Sequence, residues 1–182
     1  MSVATAVRLT GGGPTAARVI GLSAEIVATV ARASRGSWVE APGIAAQAVE
    51  LADRCPLLAD DDERAWHAAL DALDRAVDEA NGDRDVELRD LLAESVELPL
   101  QIAETGADVA ALAAVAARLG DGMFRADAVS AALLAQAGVR VARHLVEVNL
   151  GTKEGDERLR RAGGAEWRAE QSVSEALRAS ER

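Results

Sequence analysis

The chain has 182 residues, 49% of them hydrophobic but only 2% aromatic, and a formal net charge of −10 at pH 7. That length suits one domain, residues 1–182, with a core of its own. The acidity excludes the clustered Lys and Arg of a nucleic-acid-binding surface and opposes docking on an anionic membrane. The single cysteine, Cys55, excludes an internal disulfide and suits a reducing, cytoplasmic setting. With one Phe and no Tyr, the core must be built mainly from Ala, Leu and Val, which favours an all-α fold. A thin bundle of this kind is expected to complete its core across a subunit interface, as a homodimer. The first ten residues lack the apolar run of a signal peptide, and no uncharged apolar stretch of about 20 residues predicts a membrane span.

The run Thr10-Gly11-Gly12-Gly13-Pro14-Thr15-Ala16-Ala17 leads into the first predicted helix, residues 14–33. Proline is favoured at a helix start, and the free N–H groups there can receive a polar oxygen. Val19, Leu22, Ile26 and Val30 recur at helical spacing, with Ile20, Val27 and Ala31 broadening the apolar face. Residues 34–41 read as a loop, with Trp38 as its anchor. Pro42 opens a second helix carrying Ile44, Val49 and Leu51, which Pro56 should break. A third begins at residues 60–62 and carries Ala65, Trp66, Leu70 and Leu73. Asn81-Gly82-Asp83 is a turn. A long helical stretch over 86–119 should be kinked or divided at Pro99. The fifth helix, residues 127–150, directs Val129, Leu133, Val141, Leu145 and Val148 inward, and Gly151 stops it. The charged tail from Gly155 has helical character, interrupted at Gly163-Gly164.

Most chemical motifs are absent. Two histidines, His67 and His144, and no CxxC give no zinc site of the usual type. The glycines do not continue into a phosphate-binding loop or match a dinucleotide fingerprint. What remains is acidic: Asp62, within the run 60–63, and Asp127, after Ala126. The bland reading of both is a helix cap that complements the helix dipole. Asn149 reads as a polar residue at a helix end.

The order of these elements carries more than any one of them. Gly-Gly-Gly-x-x-Ala-Ala comes first, then Leu-Ala-x-x-Asp-x-x-Ala-aromatic from Leu58 to Trp66. Glu97-Leu98-Pro99-Leu100 follows, then the turn from Gly120 to Asp127, and last Val148-Asn149-Leu150 before a Thr-Lys-x-x-Asp segment. Over about Leu9 to Asp156 the chain resembles the formiminotransferase-cyclodeaminase C-terminal family, also called cyclodeaminase/cyclohydrolase. The resemblance implies an antiparallel multi-helix bundle that dimerises and acts on one-carbon tetrahydrofolates. Its members close 5-formiminotetrahydrofolate to the 5,10-methenyl form with loss of ammonia, or hydrolyse that form to 10-formyltetrahydrofolate. It implies catalytic roles for Asp62 and Asp127, substrate contacts from Gly11, Gly12, Gly13, Thr15 and Asn149, and no metal or separate cofactor. Where the family has Ser after the glycines this chain has Pro14. Its Asn-Val-Arg-Ile-Asn-Leu segment reads Leu145-Val146-Glu147-Val148-Asn149-Leu150. Arg18, Arg125, Arg140 and Arg143 are the cations available for an anionic tail. Two other readings stay open: a diverged enzyme for a different cyclic or imine-like substrate, and a non-catalytic helical dimer that binds a small molecule.

Overall fold

The structure is a computed structural model and describes residues 11–78, 95–151 and 155–180. It is all-helical over these residues: α1 (Gly12–Ala33), α2 (Ala41–Asp78), α3 (Glu97–Leu119), α4 (Arg125–Leu150) and α5 (Glu157–Ser180), with a short 3₁₀ turn at Gly122–Phe124. The turn expected at 81–83 and the helical stretch over 86–94 lie outside the described residues. α1 is central and packs against α2, α3 and α4, while α5 covers α3 and α4. α1 and α2 run antiparallel, so Gly13 meets Asp62 at one end of their seam and Gly21 meets Cys55 further along. By composition and length α1 and α3 could each cross a membrane, but 61% and 67% of their most apolar stretches lie buried in the bundle. They are its core helices.

The core is made of small side chains, because the helices approach closely. Ile20 is fully buried. A Cβ on Gly106 would lie 2.7 Å from Ile20 Cδ1, and one on Gly138 would lie 2.7 Å from Ile20 Cγ1. One branched side chain of α1 thus fills a notch that two glycines open in α3 and α4. This spacing confirms part of the predicted faces, at Ile20, Val27, Val30, Ala31 and Val129, and corrects the rest. α1 buries Ile20, Ala24, Val27 and Ala31, whereas Leu22 is 58% exposed. α4 buries Val129, Ala135, Val139, Ala142 and Val146. Leu133, Val141 and Val148 point outward instead, and Leu145 is half-buried. Seams this tight admit alanine and valine and turn larger side chains out.

Two predicted breaks do not occur. α2 continues through Pro56. The proline ring is on the exposed side, and the buried residues Ala48, Cys55, Leu58 and Ala59 hold both halves of the helix in line. A proline within a helix costs about 3 kcal/mol, and packing along this seam offsets it. As a consequence Asp60, Asp61 and Asp62 lie inside a helix rather than at its cap. α5 likewise runs through Gly163 and Gly164. Burial of Ala162, Ala165, Ala169 and Ala176 fixes it, with Arg161 paired to Glu104 at 3.0 Å and Arg143 to Glu166 at 3.1 Å. Exposed ion pairs of this kind contribute little, so burial of the alanine face does more to hold α5 in place.

Pro99 falls in the first turn of α3, where a missing N–H costs no helical bond; the stretch it was expected to kink or divide off lies outside the described residues. Two other expectations hold. Trp38 is 4% exposed and anchors the α1–α2 loop in the core. Gly151 ends α4 with φ of +60°, a conformation that favours glycine. Gly106→Ala or Gly138→Ala should lower stability by about 1–3 kcal/mol, as overpacking does. Gly163→Ala and Gly164→Ala meet open space and should each raise it by about 0.5–1 kcal/mol. Urea unfolding of the four variants checks both signs.

Candidate active site at the start of α1

Three glycines begin α1 and shape the site. Gly11 is the extended N-cap residue and supplies no side-chain cap. Thr15 returns its hydroxyl to the Gly11 carbonyl at 3.0 Å, and its N–H bonds the same oxygen at 3.3 Å. Pro14 has no N–H to offer. The amides of Gly12 and Gly13 therefore lie at the open, positive end of the helix. Gly13 faces α2 so closely that a Cβ there would fall 2.6 Å from Asp62 Cγ. On Gly12 a Cβ would meet only Leu145 and Val141, at 3.6 and 3.7 Å. Gly13 is thus the position where lack of a side chain is required, and it seats the Asp62 carboxyl against the α1 backbone.

Around that carboxyl is a cavity of about 130 Å³. Gly11, Gly12 and Gly13 form one side and Asp62, Ala65, Trp66 and Ala69 of α2 another. Ser95 and Pro99 from the start of α3, with Leu145 and Asn149 from the end of α4, complete it. Burial pushes the Asp62 carboxyl up to about 6. Among the described residues no cation or hydrogen-bond donor pairs with it. A carboxyl so placed can take up and release a proton near neutral pH, which suits a general acid or base. Burial also pushes the Cys55 thiol up to about 11, so this cysteine is a packing residue and not a nucleophile. No cluster of metal-ligating side chains occurs among the described residues.

Of the residues singled out in the sequence, Gly11, Gly12, Gly13, Asp62 and Asn149 come together here. Two do not. Thr15 is exposed and its hydroxyl donates back to the Gly11 carbonyl. Asp127 is exposed in the first turn of α4 and borders a different, open apolar groove with Leu22, Ile26, Val30, Phe124 and Leu134. Thirteen residues of α1 separate Gly13 from Ile26, or about 20 Å of helix, so Asp62 and Asp127 of one chain cannot share a substrate atom. The candidate cations are also elsewhere: Arg18 pairs with Glu63 at 3.4 Å, and Arg140 and Arg143 pair with Glu166. The Nε of Arg125 is buried without a partner near Asp127's end of α4. Sequence reading missed Ala69 and Ser95. Ala69 was accessible to it, because positions 62, 65, 66 and 69 share one helix face; Ser95 carries no such signal.

The family model described as Formiminotransferase-cyclodeaminase matches residues 2–168. The chain belongs to that family. Its fold is that of formiminotetrahydrofolate cyclodeaminase from Thermotoga maritima, with a TM-score of 0.80 at 21% identity, covering 98% of this chain and 91% of that one. No curated protein matches the chain significantly.

The seat of Asp62 has a stability signature. Burial disfavours its charged form, so the fold carries no penalty below about pH 4, an increasing one as pH rises toward 6, and the full one above it. Asp62→Asn should accordingly stabilise the protein above about pH 6 by about 1–2 kcal/mol, a value reduced for the solvent that still reaches this half-exposed group. The gain should vanish near pH 4. Thermal unfolding of both proteins across pH 4–8 measures it.

Proposed function

We propose that the protein is a one-carbon tetrahydrofolate enzyme in which Asp62 moves the proton. The observation that carries this reading is the unpaired, half-buried Asp62 carboxyl on the Gly13 backbone, at the position that matches the family's Asp-x-x-Ala-aromatic motif. In cyclodeamination, N10 attacks the formimino carbon of 5-formiminotetrahydrofolate. The substrate reacts as its amidinium, N5–CH=NH2+: the new C–N10 bond forms, N10 loses a proton, the departing NH2 gains one, and its C–N bond breaks to release ammonia and leave the positive charge on the methenyl bridge. In hydrolysis, water adds to the methenyl carbon and releases one proton to solvent; the hydroxyl then gives up its proton as the C–N5 bond breaks and the formyl carbonyl forms, and N5 takes a proton. Either way a proton leaves one atom and arrives at another nearby, and one carboxyl with a pKa near 6 can carry it. Its charge also favours a cationic methenyl centre. The Gly12 and Gly13 amides and Asn149 would hold the substrate, which needs no further cofactor. The setting expected for this chemistry is the cytoplasm.

Asp127 enters this scheme only through a second copy. Exposed Leu22, Leu133, Leu134 and Val141 form an apolar face on α1 and α4. α4 carries Asp127 at one end and Asn149 at the other. A two-fold axis across the middle of that face exchanges the ends. It would bring Asp127 of the partner subunit toward the Asp62 cavity, and the apolar face would be the dimer contact.

A second reading has one observation in its favour. A cavity of about 130 Å³ is close to the size of one that accepts a single benzene ring, about 150 Å³, and Leu145 makes one wall apolar where the family has Asn. A smaller cyclic imine would suit it.

Absorbance decay of 5,10-methenyltetrahydrofolate, in a buffer where spontaneous hydrolysis is slow, tests the primary reading. The protein should accelerate the decay, and Asp62→Asn and Asp127→Asn should each abolish the acceleration. Mixing the two inactive variants should restore about a quarter of wild-type activity, as random pairing gives in a dimer with two shared sites. Neither turnover nor binding of the folate would favour the smaller substrate. Full activity of Asp127→Asn would remove Asp127 from the site.

A further inference from the structure

Trp66 is the largest side chain lining the cavity and has no place in the core. It belongs to none of the three buried apolar clusters and is 47% exposed, whereas Trp38 is 4% exposed. It lies four residues after Asp62, so both side chains rise from the same face of α2, and both line the cavity. The rest of the lining is apolar or neutral, with the Gly12 and Gly13 backbone, Ser95 and Asn149 as its polar groups, and Asp62 is the only ionisable residue among the described ones. Among the described residues the cavity thus offers an aromatic surface and a carboxylate lacking a counter-charge, but no cationic side chain.

We propose that Trp66 and Asp62 together form a receptor for a planar amidinium-type cation, with Trp66 as the residue that selects it. The flat N–C–N⁺ unit stacks on the indole face, which attracts cations through its π system. The N–H edge or the positive carbon faces the Asp62 carboxylate, and the charge-assisted contact satisfies both groups. The Asp62 carboxylate repels anions and none of the described lining residues is cationic, so an anionic tail is expected outside the cavity. The inference rests on the folate reading in one respect: a 5,10-methenyl bridge is a cation of this class.

The test uses simple probes on the full chain. Benzamidinium is planar and cationic, benzamide is a neutral near-isostere, and benzoate is an anion of similar size. At pH 7.5 benzamidinium should bind saturably and change the indole fluorescence, with benzamide weaker and benzoate silent. Trp66→Leu should lose that fluorescence change and weaken benzamidinium by about tenfold, as loss of a desolvated cation–π contact does. Trp66→Phe should retain part of the affinity. Asp62→Asn should erase the preference for benzamidinium over benzamide. Circular dichroism of Trp66→Leu should match wild type, since Trp66 lies outside the core. Equal affinity for benzamidinium and benzoate, or unchanged affinity in Trp66→Leu, would overturn the proposal. Methenyltetrahydrofolate turnover on the same samples separates the two ideas. Turnover without amidinium selectivity removes this inference alone. Selectivity without turnover supports it and removes the folate reading.

Discussion

Close approach of α1 to its neighbours is the constraint on which the bundle depends. Gly21 lets α2 come near enough that an added Cβ would stand 3.0 Å from Cys55 Cβ. Gly106 and Gly138 admit Ile20 from the other side. The alanine-rich interior follows, because helices at this separation have no room for larger side chains at the contact. The candidate site continues the same seam. Gly13 lies eight residues before Gly21 on α1, and Asp62 seven residues after Cys55 on α2. What is a packing contact in the middle of the seam becomes, at its open end, a carboxyl resting on bare backbone.

That end carries a cost which the middle does not. A packed alanine at position 62 would avoid the desolvation that raises the Asp62 carboxyl to about 6. Loss of stability at a polar site with an evident chemical use is the usual mark of function. Trp66 points the same way, since an indole half in water contributes little to the fold. The two residues that look poorly placed for stability are neighbours on one helix face.

The helix content, the α1 glycine start, the stop at Gly151 and the Trp38 anchor could all be read from local rules, because each depends on residues within a few positions. Pro56 and Gly163-Gly164 were misread for the opposite reason: tertiary packing of alanine faces outweighed local propensity. The inward faces of α1 and α4 were legible in part: Ile20, Val27, Val30, Ala31 and Val129 are buried as expected, but Leu22, Leu133, Val141 and Val148 are exposed, since hydrophobic periodicity favours the largest apolar residues and this interior selects the smallest. For the site, residue order brought Asp62, Asn149 and the glycines forward. Spacing along a helix cannot say which helix lies opposite, so it could not show that Asp127 and Thr15 stand outside the cavity. The bland cap reading of Asp62 failed with the predicted break at Pro56; Asp127 is not the cap either, because α4 starts two residues earlier with Phe124 as its N-cap, but in the first turn it still complements the helix dipole.

One chemical property underlies both the site and its cost: a carboxyl at position 62 that holds its proton to near-neutral pH. Carbon-13 NMR titration of the aspartate carboxyls, with Asp62→Asn for assignment, measures it. One resonance should titrate near 6 and be missing from the variant. An Asp62 carbon that titrates in the ordinary range near 4 would refute the proton-carrying role, and would reduce Asp62 to a solvated residue on an ordinary helix.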